Sequence, residues 1–554
     1  MKILKLSLPF KFVSTPHFVQ YNKFKINVIY SIKFFILVTA VVSMASLIYQ
    51  IVCFKREKNL NLNIIKQPSI LESQFAPYIM HLFRSLLNKN TDNINDKQNK
   101  PLQFGQYYSN WSPFKPYNFK PTDMDLRETT HIYYSFIGID EKTCKLYLMD
   151  KHADTKYKDK FFIADKAPHG LIMEFNYLRH GILNIHNEIS NNPTLDNKNE
   201  FSELKEANRN SKNFKFIMSI GGWSEAKSFH KLAKSDEYLD NFVNSCVDVL
   251  MANGFDGVDI DWEYPKNKKE YQTYVTIFQR LREKLDLLEK QIFGNNHIKN
   301  SRWFHLSTAI PCDKDVLENL RLKEIEPFID GFNLMAYDLS GEWSPKTAYQ
   351  SNLYSYGSND NENGDIDSVV SYLIKELEIE STKIILGIPL YGRSFTNVKA
   401  KNEREVIGAE FKGVDDWFDK NSPGVWPTNE IYKLKGYTFF HDQKAVSSYL
   451  YNAKKKHLIV FDDYLSIKTK GEYIHQKALG GGFFWEANGD ILVKKHSTLS
   501  FALSDYNKLY FDKSNLKSIW TTKSMQQYYN EQVTLFQDSI LSKQSKKIAE
   551  MLNL

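Results

Sequence analysis

Between Gly254 and Pro265 the chain reads GFDGVDIDWEYP, with Asp256, Asp259, Asp261 and Glu263 set among Phe255, Val258, Ile260 and Trp262. Burying charge is expensive, and a solvated acidic loop would not carry four large apolar residues between its carboxylates. In an extended strand alternate side chains share a face, about 6.6 Å apart. Asp259, Asp261 and Glu263 therefore fall in file on one face, and Val258, Ile260 and Trp262 on the other. Asp256 is off that register and is read as structural support. Carboxylates this close cannot all ionise, so at least one proton is expected to be retained and shared. That arrangement would keep Glu263 protonated and able to act as an acid near neutral pH. A DxDxE file could instead ligate a hard cation such as Mg²⁺ or form a structural polar network. No His cluster joins it, and Trp262, Tyr264 and Pro265 suit a sugar-binding mouth better than a metal centre.

Such a file needs a scaffold that points it into a closed interior. From Phe104 onward, eight short apolar runs alternate with longer amphipathic stretches: FGQYYSNW (104–111), HIYYSFIGI (131–139), FKFIMSIGGW (214–223), FDGVDIDWE (255–263), FHLSTAIP (304–311), GFNLMAYD (331–338), KIILGIPLYG (383–392) and GGFFWEA (481–487). Near-continuous hydrophobic runs suit strands buried on both faces of a parallel sheet, and helical periodicity marks Ser235–Ala252, Lys269–Gln291 and Val369–Glu380 between them. The expected fold class is α/β, an eight-stranded (β/α)8 TIM barrel. Its active face lies at the C-terminal strand ends, which puts Glu263 nearest the mouth. Two intervals exceed a plain crossover, 140–213 and 394–479. The second is expected to hold a small α+β insertion (394–460) before the last strand, walling one side of a cleft.

The formal net charge is +7, but residues 1–66 hold ten Lys/Arg against a single acid, Glu57, so the rest of the chain carries −2. The basic balance belongs to the N-terminus, and nucleic acid is not an expected partner. Phe34 to Phe54 is a run of 21 uncharged residues, enough to span a bilayer. It reads as a transmembrane anchor after a basic cytoplasmic segment (1–33), with the bulk of the chain across the membrane. A cleaved signal peptide is the competing reading, with Ser43-Met44-Ala45 as its small-residue site, and a buried helix is the third. The first two send the chain into the secretory pathway, as a single-pass type II membrane protein or as a secreted one. Residues 55–100, rich in Asn and Lys, read as a stalk, 101–505 as the catalytic barrel and 506–554 as a polar helical tail. Apart from Cys53 in the apolar run, three cysteines remain, Cys144, Cys246 and Cys312. Three are too few for a disulfide framework but leave one bridge open. Asn110-Trp111-Ser112 forms a glycosylation sequon, expected to go unused at a strand end.

DGVDIDWE resembles the DxxDxDxE signature of glycoside hydrolase family 18, the chitinases and their relatives. SIGG (219–222), MAYD (335–338), GGFFWEANGD (481–490), YSNWS, HIYYSF and YGRSF also align with that family in order, over roughly 101–505. The details are most similar to fungal chitinases of the budding-yeast sporulation type. The resemblance implies a retaining chitinase without a protein nucleophile, in which the substrate's 2-acetamido oxygen attacks the anomeric carbon. Carried over, Glu263 is the acid and then the base. Asp261 accepts the acetamido N–H, Asp259 shares Asp261's proton, and Tyr337 donates to the acetamido oxygen. Met335 and Asp338 line the same subsite, and Trp485 is the apolar floor under the sugar. Tyr107 and Phe136 point by register toward that pocket, and Arg393 is a partner for substrate or for an acidic residue. Trp223 and Trp343 flank the cleft, and Gly221 and Gly222 permit close backbone approach. Neither a metal nor an organic cofactor is expected, and the protein is expected to act as a monomer on N-acetylglucosamine oligomers. An endo-β-N-acetylglucosaminidase acting on glycans and a non-catalytic chitin lectin are the alternatives.

Overall fold

Each of the eight apolar runs forms a strand. In the computed structural model they are β1 (Gln103–Ser109), β2 (His131–Ile139), β3 (Lys215–Gly221), β4 (Gly257–Asp261), β5 (His305–Pro311), β6 (Gly331–Met335), β7 (Ile384–Pro389) and β8 (Gly481–Trp485). The structure describes residues 102–158, 169–180, 214–298, 301–356, 364–493, 496–504, 516, 518–525 and 527–528. All eight neighbouring pairs are parallel, and β1 pairs with both β2 and β8, which closes the barrel. Alternation then decides what faces where. Val258, Ile260 and Trp262 join the large core between the strands and the outer helices. Tyr107, Tyr133, Ile217, Ile385 and Phe483 fill the barrel's inside, with Tyr337 and Trp485 packed above them.

The elements around β4 hold the carboxylate strand in place. The helix Asp236–Asn253 is capped by Ser235, whose hydroxyl accepts from the Tyr238 N–H, and it stops at Gly254. The chain then turns through Phe255 and Asp256 into β4. Asp256 is fully buried below the strand: it accepts from Arg179, from the Phe216 N–H at 2.9 Å and from the Ser518 hydroxyl. These contacts fasten the start of β4 to β3 and to Ser518, away from the file of Asp259, Asp261 and Glu263. After Glu263 the helix Lys268–Phe293 begins, capped by Asn267.

The insertion before β8 is a five-stranded antiparallel sheet built from Tyr391–Phe395, Val425–Pro427, Thr438–Asp442, Ser447–Asn452 and His457–Phe461, with one short helix, Thr428–Ile431. Each face of this sheet has its own apolar cluster. It begins three residues earlier than its composition indicates, because YGRSF leaves the barrel and starts the new sheet at once. Within 506–554 the described residues include the turn Ile519–Thr521 and helical residues at 523–525 and 527–528, and Ile519, Trp520 and Met525 are buried in the main core. The Trp520 indole N–H donates to the Phe255 carbonyl at 2.9 Å. Residues 518–525 are therefore part of the barrel's floor; three apolar residues in a polar segment are a weak signal.

Cys144, Cys246 and Cys312 are unpaired and buried. Asn110 is buried and donates to Asp154 at 3.3 Å, which leaves the sequon without an accessible amide. The expected anchor (34–54), the basic segment before it and the stalk (55–100) lie outside the described residues. Among the described residues no helix is long and apolar enough to cross a membrane.

Candidate active site

Asp259 lies at the centre of the barrel, fully buried, and both its oxygens are occupied. It accepts from the Tyr107 hydroxyl at 2.8 Å, Ser219 at 2.9 Å, Ser307 at 2.7 Å and the Asn333 amide at 3.2 Å. The cause is cross-strand register: Ser219 on β3 and Ser307 on β5 both pair with Asp259 on β4. Burial pushes its carboxyl above the ordinary value, and the four donors oppose that rise.

Asp261, next up the strand, is buried to 4% exposure but differently supplied, since its Oδ1 has no hydrogen-bond partner. Burial raises its pKa well above the carboxylate range, with the charges of Glu263 and Asp259 adding to the effect.

Glu263 stands at the mouth, half-buried. Its pKa is raised from 4.5 to about 7, first by burial; the Tyr264 hydrogen bond lowers it and the charge of Asp338 raises it. A carboxyl poised there holds a proton at neutral pH and can give it up.

The other candidates gather around this file. Tyr337 packs edge-on against Tyr391 and Phe483. Met335 ends β6 half-buried beside it. Asp338 accepts from the Tyr391 hydroxyl at 2.7 Å and from Arg393 through Nε and Nη2, each at 2.8 Å. Arg393 is thus the partner of an acidic residue, and its guanidinium also lies over the Trp343 ring at 5.0 Å. Trp485 ends β8 with one face against Phe136, at 5.7 Å and 30°, and its edge toward Tyr107. Gly222 (φ 84°) lies under Phe136, where an added Cβ would come within 2.8 Å of the ring; at Gly221 (φ 116°) a Cβ would meet the Asp261 carbonyl at 2.2 Å. Trp223 is 76% exposed and Trp343 57%, so both stand open at the rim rather than in the buried cluster. Among the described residues no group of His, Cys, Asp and Glu could hold a metal ion.

Several residues here escaped the sequence reading. Ser219, Ser307 and Asn333 pin Asp259, and the signal for them was present: each is a polar side chain inside an apolar strand, on the inward register. Tyr391, Trp111 and Glu486 line the cleft from segments that leave the barrel, where strand alternation gives no guide.

A TIM barrel with a DxDxE file at its mouth and an aromatic floor defines a glycoside-cleaving class of protein. Residues 103–490 match the family model "Glycosyl hydrolases family 18". The chain is 36% identical over 436 residues to the sporulation-specific chitinase 2 of Saccharomyces cerevisiae, covering 77% of this chain and 81% of that protein. It is 32% identical over 385 residues to endochitinase 1 of Metarhizium robertsii, covering 69% and 80%. Among solved structures, a chitinase from Bacillus thuringiensis superposes with a TM-score of 0.60 at 22% identity, over 76% of this chain and 71% of that one. A chitinase mutant from Cycas revoluta in complex with (GlcNAc)4 gives 0.52 at 22%, over 74% and 99%. This chain belongs to glycosyl hydrolase family 18.

Proposed function

We propose that the protein is an endo-acting chitinase that hydrolyses β-1,4 bonds between N-acetylglucosamine units with retention, using the substrate's own acetamido group as nucleophile. The observation that carries this reading is the unequal supply of donors along the file. Asp259 is saturated by four, while the buried Oδ1 of Asp261 has none. A buried acceptor without a donor is costly, and an acetamido N–H would supply one. Asp261 then orients the acetamide, Tyr337 donates to its oxygen, and Trp485 supports the ring. The acetamido oxygen attacks the anomeric carbon while the Glu263 proton goes to the leaving oxygen; the resulting Glu263 carboxylate then takes a proton from water as water opens the cyclic intermediate. Because the nucleophile comes from the substrate, carboxylate spacing does not report the stereochemical outcome here.

The test uses a fluorogenic chitotrioside. Wild type is expected to release fluorophore, and Glu263→Gln to lose about 10²–10⁴-fold in kcat; equal near-zero rates for both would refute the assignment. Retained activity in EDTA fits a cofactor-free reaction. The intact acid disfavours a lectin role, and activity on chitin oligomers against glycoprotein glycans separates the chitinase from an endo-β-N-acetylglucosaminidase. The same proposal places the catalytic barrel, as a monomer, outside the cytoplasm, in remodelling of wall chitin. It is held by the 34–54 segment as a type II anchor or released after cleavage of that segment. Retention in the pellet after alkaline carbonate extraction distinguishes the anchored form.

A further inference from the structure

Trp485 does not end the cleft. Beyond it lies a cavity of about 500 Å³ that includes Trp111, Tyr117, Arg393, Asp419 and Glu486 in its lining, a size suited to a short oligosaccharide segment. Its walls follow β1, β7 and β8, across the ring from Glu263 on β4. Glu263 protonates the leaving side of the bond, so this cavity serves the sugars attached through the ring that rests on Trp485, the glycon side. At its floor Glu486 directly follows Trp485 and is half-buried. Its carboxylate accepts from the Ser109 hydroxyl through Oε2 and from the Trp111 indole N–H at 3.4 Å through Oε1. One side chain thus ties the segment after β1 to the end of β8, fixing the Trp111 indole relative to the Trp485 platform. Asn488 is a third donor, and three donors leave about one of the carboxylate's four acceptor sites free toward the cavity.

We infer that Glu486 is a specificity-determining residue for the glycon side: it positions Trp111 and accepts a hydrogen bond from a hydroxyl or acetamido N–H of the second sugar beyond the ring on Trp485, which the trisaccharide supplies and the disaccharide lacks. The inference rests on reading the cleft as a chitin-cleaving site. Its test compares kcat/KM on 4-methylumbelliferyl glycosides of the GlcNAc disaccharide and trisaccharide, in wild type, Glu486→Gln and Glu486→Ala, each checked by a thermal melt. In wild type the added sugar raises kcat/KM. A hydrogen bond to a charged group is worth about 10- to 100-fold. The trisaccharide-to-disaccharide ratio is therefore expected to fall by up to that factor in Glu486→Ala and by less in Glu486→Gln, which keeps one acceptor oxygen. If Glu486→Ala does not fold, the ratio in Glu486→Gln decides. A ratio unchanged from wild type, or an equal loss on both substrates, overturns the inference. If wild type cleaves neither glycoside, the chitinase reading itself fails and this inference falls with it.

Discussion

Replacing Asp338 by asparagine should move the pH profile without moving the catalytic groups. Asp338 sits in the left-handed region at φ 58°, which asparagine tolerates better than most residues, and its side chain keeps the same shape. Two charges change together. The carboxylate that raises the Glu263 pKa is removed, and Arg393, paired with it at 2.8 Å, loses its counter-charge. Both effects favour ionised Glu263. Burial is the first cause of the rise from 4.5 to about 7, so the greater part survives the substitution. The share due to Asp338 is taken as about one pH unit, equivalent to about 1.4 kcal/mol of differential interaction. Glu263 must carry its proton to act as acid, so activity is present below its pKa and lost as pH rises through it. The alkaline limb of kcat/KM, which reports the free enzyme, should lie near pH 7 in wild type and about one pH unit lower in Asp338→Asn. The height of the profile will also fall if Asp338 touches substrate, but the position of the limb is read independently of height. A limb that stays in place or moves to higher pH would refute the coupling between Asp338 and Glu263.

Two further perturbations test the groups on either side of that pair. Asp261 has a folded-state pKa raised well above its ordinary 3.8, so the native state holds this proton more tightly than the unfolded chain does, and stability falls as pH rises from the ordinary value toward the folded one. Asp261→Asn, which cannot ionise, should abolish most activity yet gain thermal stability relative to wild type on going from about pH 4 to about pH 8; a pH-independent difference in melting temperature would count against it. At the other end of the barrel, Trp520 is 2% exposed and bonded to the Phe255 carbonyl. Trp520→Ala should cost about 3–5 kcal/mol in denaturant unfolding, and Ser518→Ala, which strips a donor from buried Asp256, about 1–3 kcal/mol. Losses below about 0.5 kcal/mol, the range of ordinary surface substitutions, would mean that this segment does not close the barrel floor.

The sequence legibly encodes what is periodic. All eight strands were readable because parallel strands buried on both faces are written as unbroken apolar runs, and Asp259, Asp261 and Glu263 could be placed on one face by alternation alone. Asp256 could be separated from them by the same count. What lay across the chain was not readable in that way. Whether Arg393 served substrate or an acidic residue depended on Asp338, 55 residues away in sequence. The donors to Asp259 come from four different strands, and only the closure of the barrel brings them together. Trp520 reads as one aromatic in a polar tail until the floor it covers is seen.

The same closure explains why three neighbouring carboxylates can serve three roles. Identical chemistry on one face of a strand would titrate as an undivided cluster if each group had the same surroundings. Here the surroundings change along the file. Asp259 is deepest, but four donors oppose the effect of its burial and fix its position. Asp261 is nearly as deep and has a donorless oxygen, so burial and two neighbouring charges act on it almost unopposed. Glu263 is nearest the mouth, and its pKa lies near neutrality. Asp259, pinned by its donors, cannot reorient without breaking several hydrogen bonds, whereas Asp261 gains a partner when an amide enters. The group free to respond to substrate is therefore the middle one, set between a carboxyl pinned by four donors below and a proton donor above. Ser219, Ser307, Asn333 and Tyr107 create that difference, although none of them need touch the sugar.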